Sequence, residues 1–150
     1  MYLIYLEMDI DKMIKEAILE KNGAKKEAYR AIKAELLLIA TGKNAPSTID
    51  EATEVKVIRK LISQRDESIA MYEANSRKEL ADMYKEQNKY LKELLPPEIS
   101  KEDIQKVIYR LYPNGLIQKE MGKVIKSVKE IYPTADGKLI AETVKENIHD

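Results

Sequence analysis

Apolar residues recur along this chain at steps of three and four, the spacing that lines one face of a helix. From about Asp9 to Lys21, Ile10, Ile14, Ala17 and Ile18 share a face, and Asn22-Gly23 stops the run. From about Lys25 to Thr41, Tyr29, Ile32, Leu36 and Ile39 do the same, ending at Gly42. The third run is the clearest. Val55, Ile58, Ile62, Arg65, Ile69 and Tyr72 form one seam, with Arg65 its single charge. Leu80, Tyr84, Gln87, Leu91 and Leu94 line a fourth helix, which predicts an antiparallel hairpin with the third. Thr48-Ile49-Asp50-Glu51 and Ser76-Arg77-Lys78-Glu79 read as capping boxes opening helices three and four.

Pro96-Pro97 then removes two backbone donors and stiffens the chain. This predicts a boundary between an N-terminal helical bundle, 1–95, and a small C-terminal domain, 96–150. Ser100-Lys101-Glu102-Asp103 starts a short helix with Ile104, Val107, Ile108 and Leu111 inward, and Pro113-Asn114-Gly115 ends it. A sixth helix, from about Lys119 to Ile131, points Met121, Val124, Ile125 and Val128 inward. The last, from about Ala135 to Ile148, does so with Leu139, Ile140, Val144 and Ile148. The expected fold is all-α: a bundle with a long helical hairpin, followed by a three-helix unit.

Composition adds limits. Charged residues are 35% of the chain and cancel, 26 basic against 26 acidic, so any attraction to nucleic acid must be local. Cysteine is absent, which excludes disulfides, thiolate catalysis and Cys-based zinc sites and suits a cytoplasmic location. Trp and Phe are also absent, so the cores are aliphatic with the nine tyrosines at their margins. The apolar start, Tyr2 to Leu6, is too short for a membrane span and has no basic lead-in, so neither a signal peptide nor a membrane role is expected. It suits a docking segment or an extension of the first helix.

Candidate chemistry is sparse. His149, the one histidine, sits beside the C-terminal residue and reads as a surface side chain. No HExxH, Walker loop, GxGxxG or GxSxG occurs. No catalytic residue, metal site or cofactor is expected. The strongest feature is a basic strip on helix six: Lys119, Lys123, Lys126 and Lys129. From Ile104 to Lys138 there are seven basic and three acidic residues, a local charge of +4. Such a strip suits phosphate contacts, or simply a solvated helix face. Ala135-Asp136-Gly137-Lys138 opens a helix, where free N–H groups, Gly137 and Lys138 could receive a phosphate. Asp136 competes for those donors as a cap. Arg30 and Arg65 are expected to pair with carboxylates at the core margin.

Short motifs in order along the chain resemble the GatB/YqeY family. Tyr29-Arg30 with Ile32-Lys33-Ala34 resembles its Leu-Arg-x-x-Lys-Ala, and Gln64-Arg65-Asp66-Glu67-Ser68-Ile69 its Gln-Arg-x-x-Ser-Ile. Arg77 with Leu80-Ala81 and Leu94-Leu95-Pro96 resemble two further motifs. Met121-Gly122-Lys123-Val124 and Ala135-Asp136-Gly137-Lys138-Leu139 resemble the C-terminal signatures. Helix four, at Met83 to Lys89, is less acidic than the family pattern. The resemblance implies kinship with the C-terminal tail of GatB in the glutamyl/aspartyl-tRNA amidotransferase, which helps hold tRNA while a separate domain performs catalysis. The amidotransferase is a carbon–nitrogen ligase with glutamine as amido donor; this chain has only the tail-like part, so no such activity is expected of it alone. The implied role is a non-catalytic module binding tRNA or another structured RNA, with Lys119, Lys123, Lys126, Gly137 and Lys138 as contacts. The alternative is a helical adaptor that meets a protein partner through its helix faces.

Overall fold

The computed structural model describes residues 6–149, and the apolar start from Met1 to Tyr5 lies outside them. The described residues form seven α-helices: α1 Leu6–Leu19, α2 Gly23–Thr41, α3 Glu51–Ala74, α4 Lys78–Glu93, α5 Lys101–Leu111, α6 Met121–Ile131 and α7 Gly137–Glu146. A 3-10 turn, Gln118–Glu120, leads into α6. The fold is all-α, as the spacing predicts. The chain divides into two compact units, Met1–Pro96 and Pro97–Asp150, each with its own core. No described helix is long and apolar enough to cross a membrane.

In the first unit Ile32 and Leu36 of α2, Val55, Ile58 and Ile62 of α3 and Leu91 of α4 are buried together. The α3 seam continues to Ile69, and the hairpin with α4 forms as expected. Two inward assignments fail. Ile18 lies outside the core at 54% exposure, because the α1 stripe that packs is Ile10 and Ala17. In the second unit Leu111 is likewise exposed, since Ile104, Val107 and Ile108 already complete the α5 stripe.

The turns explain where the helices stop. At the end of α1 the N–H of Lys21 bonds to Ile18 O and that of Asn22 to Ala17 O, with Lys21 in the left-handed region at φ 59°. This is a Schellman closure. Asn22 then caps α2, its side chain accepting from Lys25 N at 3.0 Å. Its amide also donates to Tyr90 Oη at 2.8 Å, tying the turn to α4. The α3 end repeats the device: Ser76 N bonds Glu73 O and Arg77 N bonds Tyr72 O, with Ser76 at φ 58°.

Both expected capping boxes in this unit are corrected. The N-cap of α3 is Asp50, whose carboxylate accepts from Thr53 N at 2.9 Å, not Thr48. Asp is as good a cap as Thr and stands two residues nearer the first apolar stripe. Ser76 is taken by the Schellman closure, so Arg77 is the N-cap of α4 and makes no side-chain cap bond. The start of α5 at Ser100 is a capping box. Its hydroxyl accepts from Asp103 N and the Asp103 carboxylate accepts from Ser100 N.

The second unit packs Ile104, Val107 and Ile108 of α5 against Val124 and Val128 of α6 and Ile140 and Val144 of α7. Gly115 turns the chain after α5 at φ 105°, a conformation side chains resist. Buried Leu116 follows and bridges in parallel to Ile148, while His149 N donates to Leu116 O at 2.7 Å. Lys101 pairs with Glu146, joining the start of α5 to the end of α7.

Ser76→Gly relieves a left-handed serine and raises stability by about 1 kcal/mol, measurable by urea unfolding. The Asp50 carboxylate is held below its ordinary value of 3.8, mainly by its hydrogen bonds to Thr53. A depressed carboxylate contributes stability that is complete above its unfolded value and disappears as pH falls through the folded one. The stability gap between the wild type and Asp50→Ala is therefore full above about pH 4 and closes below it. Unfolding midpoints of the two proteins from pH 6 to pH 2 check this.

Candidate nucleic-acid interface

The basic strip is a consequence of how α6 packs. Val124 and Val128 are buried, one turn apart on the inner face. Helical geometry then sends Lys123, Lys126 and Lys129 outward, spread over about 120° of arc because each step of three falls short of a full turn by about 60°. All three are exposed, as are Lys119 in the preceding 3-10 turn and Lys138 at the start of α7.

The ends of α6 and α7 meet. A methyl group added at Gly137 would lie 3.7 Å from Lys129 Nζ and 3.8 Å from its Cε. The Lys129 ammonium thus rests over the first residue of α7, next to Lys138. The expected residues Gly137 and Lys138 gain Lys129 as a neighbour. It belongs to the sequence strip, but nothing in the sequence marks it as the residue that reaches α7. Lys123 and Lys126 precede Lys129 on α6, and Lys119 lies in the 3-10 turn before it.

Asp136 behaves as a cap. Its carboxylate accepts from Lys138 N at 3.1 Å, so one of the donors that a phosphate would use is already engaged. The remaining positive charge is on side chains. Among the described residues, none of Lys119, Lys123, Lys126, Lys129 and Lys138 forms an ion pair. In the first unit seven of the 17 basic residues, Lys25, Lys26, Arg30, Lys33, Lys60, Lys85 and Lys89, have carboxylate partners.

No cluster of three potential metal ligands occurs among the described residues. His149 is exposed, with its ring edge near Gly115. Its backbone, not its imidazole, makes the structural bond to Leu116.

Asp136→Ala removes the α7 cap and lowers the stability of the protein by about 1 kcal/mol, whereas Asp136→Asn keeps an accepting oxygen and stays within a few tenths of wild type. Thermal or urea unfolding of the two variants distinguishes cap from bystander.

The comparisons with known proteins bear on the whole chain. The family described as "Yqey-like protein" matches residues 7–148, which spans both units. The chain is also similar to a Candida glabrata protein, "Altered inheritance of mitochondria protein 41, mitochondrial", with 32% identity over 126 residues, covering 77% of this chain and 68% of that protein. The family match takes in both the α3–α4 hairpin and the lysine-bearing α6, and on this basis the chain belongs to the YqeY-like family.

Proposed function

We propose that this YqeY-type protein is a non-catalytic accessory module that binds tRNA or another structured RNA through the outer face of α6. The observation that supports this reading is a local gathering of charge. Lys119, Lys123, Lys126, Lys129 and Lys138 are exposed on one short stretch and are left without carboxylate partners. Unneutralised lysines on a rigid helix suit backbone phosphates, which position a nucleic acid without reading its sequence. The resemblance to the amidotransferase tail, carried by the ordered motifs between Tyr29 and Leu139, supports tRNA as the RNA. The absence of cysteine suits work in the reducing cytoplasm.

Lys119, Lys123 and Lys126 supply the main contacts, with Lys129 and Lys138 extending them toward α7. The Asp136 carboxylate, bonded to Lys138 N, weakens the field there while it caps the helix. Catalysis, where this module serves an enzyme, belongs to a partner.

A second reading rests on Leu37 and Leu38, adjacent on α2 and 51% and 66% exposed. Two neighbouring exposed leucines suit a helix face that meets another protein. In that case the module is an adaptor.

Filter binding with bulk tRNA separates the two. Five phosphate contacts give a slope of about −4 for the logarithm of affinity against the logarithm of salt. The double variant Lys123→Glu/Lys126→Glu loses about two units of that slope and at least tenfold in affinity at low salt. Asp136→Asn, which keeps the cap, binds a few-fold more tightly. Absence of any saturable, salt-sensitive binding by the wild type sinks the RNA reading. A stoichiometric protein partner lost on Leu38→Glu, with no RNA retained, establishes the adaptor.

A further inference from the structure

Arg65 is expected from its sequence position to pair with a carboxylate, and it does not. Its Nε donates to Gln87 Oε1 at 3.0 Å, and its guanidinium carbon lies 5.8 Å from the centre of the Tyr84 ring. Among the described residues no carboxylate lies within ion-pairing distance of it, and no hydrogen bond uses either of its Nη groups. Burial pushes its pKa down, and the nearby Tyr84 and Glu27 act in the opposite direction. An arginine stays charged under such pressure. The result is a partly desolvated cation, fixed through Nε and through an aromatic ring, with its fork unused. That arrangement matches a phosphate, which takes two parallel N–H bonds from a guanidinium.

The surroundings narrow the ligand. Tyr84 stacks on Tyr72, with centroids 5.7 Å apart and planes 14° from parallel. Both rings are partly exposed, and from Ala70 to Leu80 no residue is buried. On α2, Glu27 gathers Arg30 at 3.7 Å and Lys26 at 3.8 Å, and its charge reaches Arg65. Glu27 is thus engaged by Lys26 and Arg30, and Arg65, without an ion pair of its own, lies against the stacked aromatic pair. A partner's acidic side chain would use the cations and leave the tyrosines idle. A nucleotide uses both, since every base has a face to stack and every nucleotide a phosphate.

We infer that Arg65 and the Tyr72–Tyr84 pair form a nucleotide-binding site in the first unit, with the phosphate on the Arg65 fork and the base extending the tyrosine stack. The nucleotide is either free or an unpaired residue of an RNA. The site is built from residues of the first unit alone, shares none with α6, and goes beyond the function proposed for that helix.

Isothermal titration of the full-length protein at low ionic strength tests the site with three probes: inorganic phosphate, adenosine monophosphate and octa-adenylate RNA. Adenosine monophosphate binds at least about tenfold more tightly than phosphate, the increment expected of one stacked base. In the Lys123→Glu/Lys126→Glu background, octa-adenylate binding more tightly than the mononucleotide assigns the site to RNA, and equal or weaker binding assigns it to a free nucleotide. Tyr72→Leu and Arg65→Lys each lose about tenfold, while Tyr72→Phe, which keeps the ring, binds as wild type. The Lys123→Glu/Lys126→Glu variant leaves mononucleotide binding unchanged, so failure of the α6 reading would not register here. Absence of heat with both nucleotide probes overturns the inference. So does wild-type binding by both Tyr72→Leu and Arg65→Lys, or binding of a glutamate-rich peptide in place of the nucleotide.

Discussion

Burial of a narrow aliphatic stripe on each short helix is the constraint from which the rest follows. Helices α5, α6 and α7 have 11, 11 and 10 residues, below the length at which an isolated helix is stable in water. Each exists because two or three side chains on one face leave water together. For α6 those are Val124 and Val128, and with them inward the lysines have only the outer face to occupy. The display of positive charge is therefore a by-product of packing. A helix with a wider apolar face would have no room for three outward lysines in 11 residues.

The same constraint explains what was legible in the sequence. Stripes are periodic, so the seven helices, the hairpin and both cores can be read from spacing. Caps and turns are not periodic. Ser76 looks like an N-cap because a glutamate follows three residues on, yet its backbone adopts the left-handed form that closes the preceding helix. Asn22 marks the end of one helix by composition and turns out to cap the next and to hold Tyr90 as well. In such places one residue serves two elements, and a local pattern shows only one of them. Among the candidate contacts, the lysine strip follows from helical spacing alone. The meeting of Lys129 with Gly137 does not, because it depends on how α6 and α7 dock.

The hairpin shows where a seam gives way to polar chemistry. Leu91 and Ile62 are buried in one aliphatic core, but in the next layers Arg65 meets Gln87, and Asn88 donates to Asp66 Oδ1 at 2.9 Å and to Ile62 O at 3.3 Å. Aliphatic contacts are nearly indifferent to a small slide along the axis, whereas a hydrogen bond is lost within an ångström. A displaced α4 would leave Asn88, only 2% exposed, without its partners, at a cost of about 1–3 kcal/mol. These polar layers thus hold the hairpin in one register. They also fix the Arg65 guanidinium, which a purely aliphatic seam could not do.

Charge balance is the last step. The chain carries equal numbers of acidic and basic residues, which by itself argues against a polyanion as partner. The charges, however, are not evenly spread. In the first unit, side-chain ion pairs bring opposite charges within 4 Å of one another, and their fields cancel at the distances a ligand would sense. Around α6 and the start of α7 the lysines lack such partners, so their field is reduced only by salt and by the nearby Glu120, Glu130 and Asp136, which they outnumber. With a screening length of about 10 Å at moderate salt, a phosphate approaching α6 senses the local strip and little of the charge beyond that radius. Net neutrality is then compatible with a locally cationic surface. It also favours release, because long-range attraction that would hold any polyanion indiscriminately is missing.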